Sequence, residues 1–190
     1  MKLVQAVIAL LAMLAAGCAH QVTFDKPAPY VVSTTKMQSG VTAVIDPATI
    51  SAKIPIRSFM TGIAHSWEAE PGDMLKQVAD IELPQMFASY QFASAYADPP
   101  PGPWIFVELT IPSYKFEDFH ATVSVTVTAY DRNRKHILQK TYTAEGETQG
   151  AKMFWTGAFG MKSAIRQSSL DAFKKVFANL RADLSTALPR

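Results

Sequence analysis

The sequence predicts an α+β domain in which two helices cover one face of a mainly antiparallel sheet of about four to five strands. Apolar residues alternate with polar residues over 105–111 and again over 123–129, and residues 137–145 follow as a return strand. Apolar residues recur at helical spacing over 75–83 and over 173–184. We therefore expect an antiparallel meander with two amphipathic helices packed on it.

Further strand signals flank this meander. Threonine and serine alternate with valine over 122–128, so that face is expected to be solvated. Pro112 should interrupt the strand before it, and residues 131–135 predict a charged hairpin loop. Residues 41–45 predict an earlier strand, and residues 54–67 predict a weaker one.

Both helices carry signals at their ends. Asp73 follows Pro-Gly and is the predicted N-cap of the first helix, and Pro84 predicts a kink or a restart. Residues 89–97 fit either the end of that helix or a short strand. For the last helix, residues 168–171 have the pattern of a capping box, although a start near Lys162 also fits.

The N-terminus predicts a secretion signal that ends at the only cysteine of the 190-residue chain. Lys2 precedes an apolar run over 3–16 that only Gln5 interrupts. This run is shorter than the roughly 20 apolar residues of a transmembrane helix. We expect cleavage between Gly17 and Cys18, which removes residues 1–17.

Residues 14–18, Leu-Ala-Ala-Gly-Cys, resemble the lipobox of bacterial lipoproteins, in which the cysteine is acylated and becomes the new N-terminus. Ala15 stands where the lipobox usually has leucine, and Leu14 lies one place further back. The resemblance implies palmitate at Cys18 and a membrane as partner. Because Ala19 and not aspartate follows, it also implies the periplasmic face of the outer membrane. The alternative is a buried cysteine after an uncleaved signal.

The mature chain is expected to have two parts. Residues 18–40 are polar, contain Pro27 and Pro29 and have no sustained period, which predicts a lipid anchor and flexible tether. Residues 30–33 fit an edge strand instead. Residues 41–190 predict a single periplasmic domain.

The sequence offers no pattern for several chemistries. A net charge of +2 argues against a nucleic-acid partner, which requires a basic stripe. The histidines are scattered, and acylation would use the one cysteine, so neither a metal site nor a disulfide is expected. There is no G-x-S-x-G motif, and Met161 stands where a phosphate loop requires glycine. We expect no catalytic residue, no cofactor and no enzyme; the alternative is a lipid-anchored periplasmic hydrolase whose active site is assembled from distant residues.

A glycine-spaced aromatic stretch is the candidate partner-binding site. It contains Phe154, Trp155, Phe159 and Met161 and follows neither the helical nor the strand period. One hypothesis is a lid that folds over the edge of the sheet or helix. The other is an exposed docking surface, since aromatic side chains dominate the energetics of interfaces.

The order of these elements resembles the small α/β lipoproteins of Gram-negative envelopes. That group includes the lipopolysaccharide-assembly lipoprotein and the transport-auxiliary lipoproteins of lipid-trafficking ABC systems. The resemblance implies a non-catalytic accessory protein that docks on another envelope protein and assists outer-membrane assembly or lipid transport. It rests on element order, not on a residue motif beyond the lipobox.

Substitution of Cys18 tests the predicted lipid attachment. Cys18→Ser removes the thiol that would be acylated, so the variant should accumulate as an unprocessed or soluble precursor. The measurement is incorporation of labelled palmitate together with membrane fractionation. A Cys18→Ser variant that still incorporates palmitate and fractionates with the outer membrane would contradict the lipobox interpretation.

Overall fold

A computed structural model describes residues 19–24, 28, 30–31, 35–56, 66–151 and 157–188. The predicted signal peptide and Cys18 lie outside these described residues. In chain order the elements are β1 (Ala19–Val22), β2 (Met37–Val44), α1 (Pro47–Ser51), β3 (Ile54–Ile56), β4 (Ser66–Ala69), α2 (Pro71–Met86), β5 (Phe87–Ala93), β6 (Trp104–Glu117), β7 (His120–Asp131), β8 (His136–Glu145), a 3₁₀ turn (Gly157–Gly160) and α3 (Met161–Ala187). None of the helices in the described ranges is long and apolar enough to cross a membrane.

The main sheet has five strands in the order β5-β2-β6-β7-β8, and α2 and α3 pack on it. Strands β6, β7 and β8 form the predicted antiparallel meander, and the α+β fold class is confirmed. Strand β2 is parallel to both of its neighbours, β5 and β6, so the sheet is mixed. The chain crosses over through α2 between β2 and β5, and a crossover of this kind gives parallel strands. A second sheet has the order β1-β4-β3.

Strand β6 continues through Pro112 instead of ending there. Its register with β7 shifts between Thr110 and Ser113, and an irregularity of this kind accommodates a residue that has no backbone N–H. Residues 89–93, the first part of the segment 89–97 that was ambiguous in the sequence, lie in edge strand β5. The weak strand predicted over 54–67 is two strands, β3 and β4, and residues 57–65 between them lie outside the described ranges.

The threonine face of the meander is polar, as expected. Across β7 and β8, the Ser124 hydroxyl lies 2.8 Å from that of Thr143, and the Thr126 hydroxyl lies 2.8 Å from that of Thr141. Valines on the opposite face of β7 are fully buried under the helices. Strand β7 therefore has the paired Ser and Thr hydroxyls, which we call the threonine ladder, on one face and the core on the other.

Helix α3 begins at Met161, so the alternative start near Lys162 is confirmed and the capping box predicted at 168–171 is wrong. Ser168 instead lies inside the helix, where its hydroxyl accepts a hydrogen bond of 2.8 Å from the Ala121 backbone N–H at the start of β7. The neighbouring Ser169 hydroxyl lies 2.8 Å from the Tyr114 hydroxyl, and burial raises the pKa of Tyr114 to about 12. A Cβ on Gly146 would lie 1.9 Å from the Ser168 carbonyl oxygen. Small residues thus allow α3 to approach the sheet closely.

Helix α2 begins at Pro71, with Glu70 as an N-cap that makes no side-chain capping bond. The N-cap predicted at Asp73 is therefore wrong. Asp73 lies in the first turn, where its carboxylate accepts a 2.8 Å hydrogen bond from Gln77. The helix continues past Pro84 to Met86 and leads directly into β5, so it does not restart.

Several of the described residues of 19–40 are packed into the fold, and the flexible tether predicted over 18–40 stays a prediction. Strand β1 pairs with β4, and Phe24 is buried. The described residues among 23–36, which we call the strap, then lie across α2 and α3. Side chains of the helices hold its backbone: Arg166 donates to the Thr23 carbonyl, and Gln85 donates to the Tyr30 carbonyl at 2.8 Å. Tyr30 is not in a strand.

A buried carboxylate fastens the strap to both long helices. Glu82 of α2 is 2% exposed and accepts hydrogen bonds from the Tyr30 hydroxyl at 2.8 Å and from the Arg181 guanidinium of α3 at 2.7 Å. The Lys174 ammonium lies 3.9 Å from the centroid of the Tyr30 ring. Burial raises the pKa of Glu82, although Tyr30 and Arg181 both favour its charged form.

Glu82, Tyr30 and Arg181 form a cluster, and removing its cation, Arg181, should destabilise the fold in a pH-dependent manner. Arg181→Leu leaves the buried carboxylate without its ion-pair partner, which costs about 3–5 kcal/mol at neutral pH. An unpaired buried carboxyl binds its proton more tightly than the unfolded chain does. The loss of unfolding free energy in Arg181→Leu should therefore be smaller at about pH 5 than at about pH 8. Urea unfolding at both pH values measures it.

Two further variants serve as controls. Lys175→Leu breaks the exposed ion pair with Asp171 and should cost less than about 1 kcal/mol at either pH. Glu82→Leu/Arg181→Leu removes both charges and should recover most of the stability lost in Arg181→Leu. A loss that is equal at both pH values would contradict the assigned role of Glu82.

Candidate functional site

Two adjoining cavities lie where the C-terminal end of α3 meets the ends of four strands of the main sheet, β2, β6, β7 and β8. Their volumes are about 350 and 600 Å³, and both are lined by Gln38 and Leu188. We call them together the terminal groove. The smaller is also lined by Thr35, Lys36, Met37, Met86, Arg181 and Ser185, and the larger by Ser39, Pro103, Trp104, Ile105, Asp131, Arg132, Lys135, His136, Ile137 and Ala187.

Trp104, the first residue of β6, provides the largest apolar wall. Its indole lies against β2 at Gly40, where a Cβ would be 2.1 Å from a ring carbon. The indole N–H donates a 2.8 Å hydrogen bond to the Thr42 hydroxyl, and Gln91 donates to the same oxygen at 2.7 Å. Trp104 is therefore held in one orientation and remains partly exposed.

The hairpin between β7 and β8 places basic side chains on the rim of the groove. The Asp131 carboxylate accepts hydrogen bonds of 2.8 Å from the backbone N–H groups of Asn133 and Lys135, and Arg134 adopts a positive φ of 63°. This tight turn projects Lys135 to solvent, while the Arg132 guanidinium contacts the Gly102 carbonyl at 3.2 Å.

The rim carries more positive than negative charge. Lys36, Arg132 and Lys135 are exposed. Asp131, the one carboxylate among the described residues that line the groove, is engaged by the hairpin backbone. Arg181 adds a fourth cation at the inner end, paired with buried Glu82. Apolar walls below exposed cations suit an extended apolar segment that also carries carboxylates.

Metal binding has no candidate in the parts of the chain that the structure describes. No group of three or more His, Cys, Asp or Glu side chains is placed there to hold an ion.

The aromatic stretch predicted as a binding site is separate from this groove. Phe159 is 99% exposed on the 3₁₀ turn before α3, whereas Met161 is 1% exposed in the core. Met161 is therefore a core residue, buried in the first turn of α3. Phe154 and Trp155 lie outside the described residues, and docking through Phe159 stays a prediction.

Sequence patterns missed the terminal groove because its walls come from segments that are far apart in the chain. Lys36 falls in the predicted tether, Trp104 follows a proline-rich loop, and Lys135 belongs to the predicted hairpin. The available signal was the excess of basic residues over 131–135, directly before the last strand.

Comparison with known proteins identifies no family. No family model matches the chain, and no curated protein matches it. The similar solved structures include an uncharacterized protein with 12% identity and a TM-score of 0.46. The match covers 87% of this chain and 99% of the uncharacterized protein. The hypothetical protein CT253 from Chlamydia trachomatis has 12% identity, coverage of 78% and 99%, and a TM-score of 0.43. A protein from Caulobacter crescentus CB15 described as a "putative lipoprotein" has 13% identity, coverage of 60% and 83%, and a TM-score of 0.35. These are distant structural similarities to uncharacterised proteins and to one described as a lipoprotein.

The close contact between Gly40 and Trp104 can be tested by adding one methyl group. Gly40→Ala forces the indole out of its position, so we expect a loss of about 1–3 kcal/mol in unfolding free energy and a change in tryptophan emission. Gly150→Ala is the matched control, because its Cβ would meet its nearest neighbour at 3.6 Å, and it should change stability by less than about 0.5 kcal/mol. Equal stability of the two variants would show that Trp104 is not fixed by Gly40.

Proposed function

We propose that this chain is a lipid-anchored accessory protein on the periplasmic face of the bacterial outer membrane, and that it binds an acidic, extended segment of a partner protein in the terminal groove. The observation that carries the proposal is the combination of the apolar Trp104 wall with exposed Lys36, Arg132 and Lys135 on the rim. The anchor is supported by the lipobox at Cys18.

The size of the groove agrees with this role. Binding clefts typically have volumes of about 300–1,000 Å³, and both cavities lie in that range. Tryptophan and arginine are the residue types that most often dominate binding energy, and a held indole loses little side-chain entropy on binding. Trp104 would therefore supply most of the affinity.

The rim cations would supply orientation and association rate rather than most of the affinity. A partner segment that places an apolar side chain against Trp104 and carboxylates near Lys36 and Lys135 matches both features. Assistance to outer-membrane assembly or lipid transport is the role that the resemblance to small envelope lipoproteins implies for such an interaction.

Photo-crosslinking in intact cells tests the proposal. A photoreactive residue at Gln38, which lines both cavities, should form a covalent adduct with one envelope protein, and the crosslinked peptide should carry more Asp and Glu than Lys and Arg. Lys36→Glu/Lys135→Glu should reduce that adduct at least tenfold, since like charges then face each other.

Lys115 provides the control for both parts of the experiment, because it is exposed on β6 and does not line the groove. A photoreactive residue at Lys115 should give no such adduct, and Lys115→Glu should leave the adduct at Gln38 unchanged. The proposal fails if Gln38 crosslinks no more than Lys115, or if charge reversal on the rim has no effect.

A further inference from the structure

We propose that the domain stands upright on the membrane, with the N-terminal end of α3 against the lipid surface and Phe159 inserted between the headgroups. The terminal groove would then face away from the bilayer. This inference rests on the proposed lipid attachment at Cys18, and it adds which surface of the domain meets the membrane.

No linker residue separates the predicted acylation site, Cys18, from the first strand of the fold. Cys18 directly precedes Ala19, the first residue of β1, and one peptide unit spans 3.80 Å between Cα atoms. Strand β1 is held by its parallel pairing with β4, in which Ala19 is opposite Ser66, and Val22 is fully buried. A lipid on Cys18 would therefore hold this edge of the domain at the membrane surface.

Strand β1 lies near the N-terminal part of α3. The Thr23 carbonyl, just after β1, accepts a hydrogen bond from Arg166 in the second turn of α3. Further along the strap, Tyr30 contacts Lys174. Thr23 and Tyr30 therefore lie at successive positions along α3. Strand β1 itself contacts α3 and ends directly before Thr23, so it lies beside the N-terminal part of that helix.

Phe159 immediately precedes that end of α3 and is 99% exposed. A single exposed apolar residue has no meaning by itself on a protein surface. Here it lies at the end of the domain that the lipid would hold against the bilayer, and exposed Lys162 follows it in the first turn of α3. An aromatic ring with a nearby lysine is the composition of segments that bind the interface between headgroups and acyl chains.

The length of α3 separates the two functional ends. Its 27 residues extend about 40 Å at 1.5 Å per residue. Leu188, at the far end, lines both cavities of the terminal groove. An upright domain would present that groove about 40 Å from the membrane, toward partners in the periplasm.

Position-specific quenching tests this orientation. Acylation uses the only native thiol, so Phe159→Cys, Val31→Cys and Ser185→Cys each introduce one thiol for a fluorophore in the acylated full-length protein. Vesicles of phosphatidylethanolamine and phosphatidylglycerol carry a nitroxide quencher near the headgroups. Quenching should be at least fivefold stronger at position 159 than at position 185. Position 31, also 86% exposed but located on the strap, should be intermediate.

A second pair of variants tests insertion of the ring itself. With the fluorophore at Lys162→Cys, Phe159→Ser should reduce quenching at least twofold, whereas Val31→Ser should leave it unchanged. Equal quenching at all three labelled positions, or stronger quenching at position 185, overturns the upright orientation. A protein that does not enter the vesicles overturns the lipid attachment as well, so the two failures are distinguishable.

Discussion

One buried carboxylate determines how the N-terminal part of this chain is arranged. Glu82 lies between the two long helices, and a charged group at such a position requires partners because burial removes its hydration. One partner, Arg181, comes from α3 and the other, Tyr30, comes from the strap. The cluster therefore joins α2, α3 and the strap. A chain segment that the sequence describes as a tether becomes an outer layer of the fold.

Fixing the strap also fixes the two ends of the molecule. The strap runs from β1, beside the first turns of α3, to β2, which begins at the terminal groove. The residue that would carry lipid and the residues that would contact a partner are thus separated by the length of α3. In the proposed orientation, the contacts between the strap and α3 would set the distance from the groove to the membrane.

The terminal groove depends on close approaches that only small residues or turn residues allow. Gly40 makes room for the Trp104 indole, and the positive φ of Arg134 closes the turn that presents Lys135. Apolar walls and charged rim therefore come from different segments, and the packing of α3 on the sheet brings them together.

The sequence by itself determined the elements whose burial is local and periodic. The valines of β7, the apolar stripe of α3 and the threonine ladder all follow from which residues alternate or recur, because one face of each element meets the core and the other meets water. Only the tertiary structure decided the start of α3, the parallel pairing of β2, the path of the strap and the terminal groove. Ser168 has the pattern of a cap, yet it lies inside a helix because its hydroxyl satisfies the Ala121 N–H of a different element. Glu82 and Arg181 are 99 residues apart in the sequence, and a contact at that separation produces no periodic pattern from which it could be predicted.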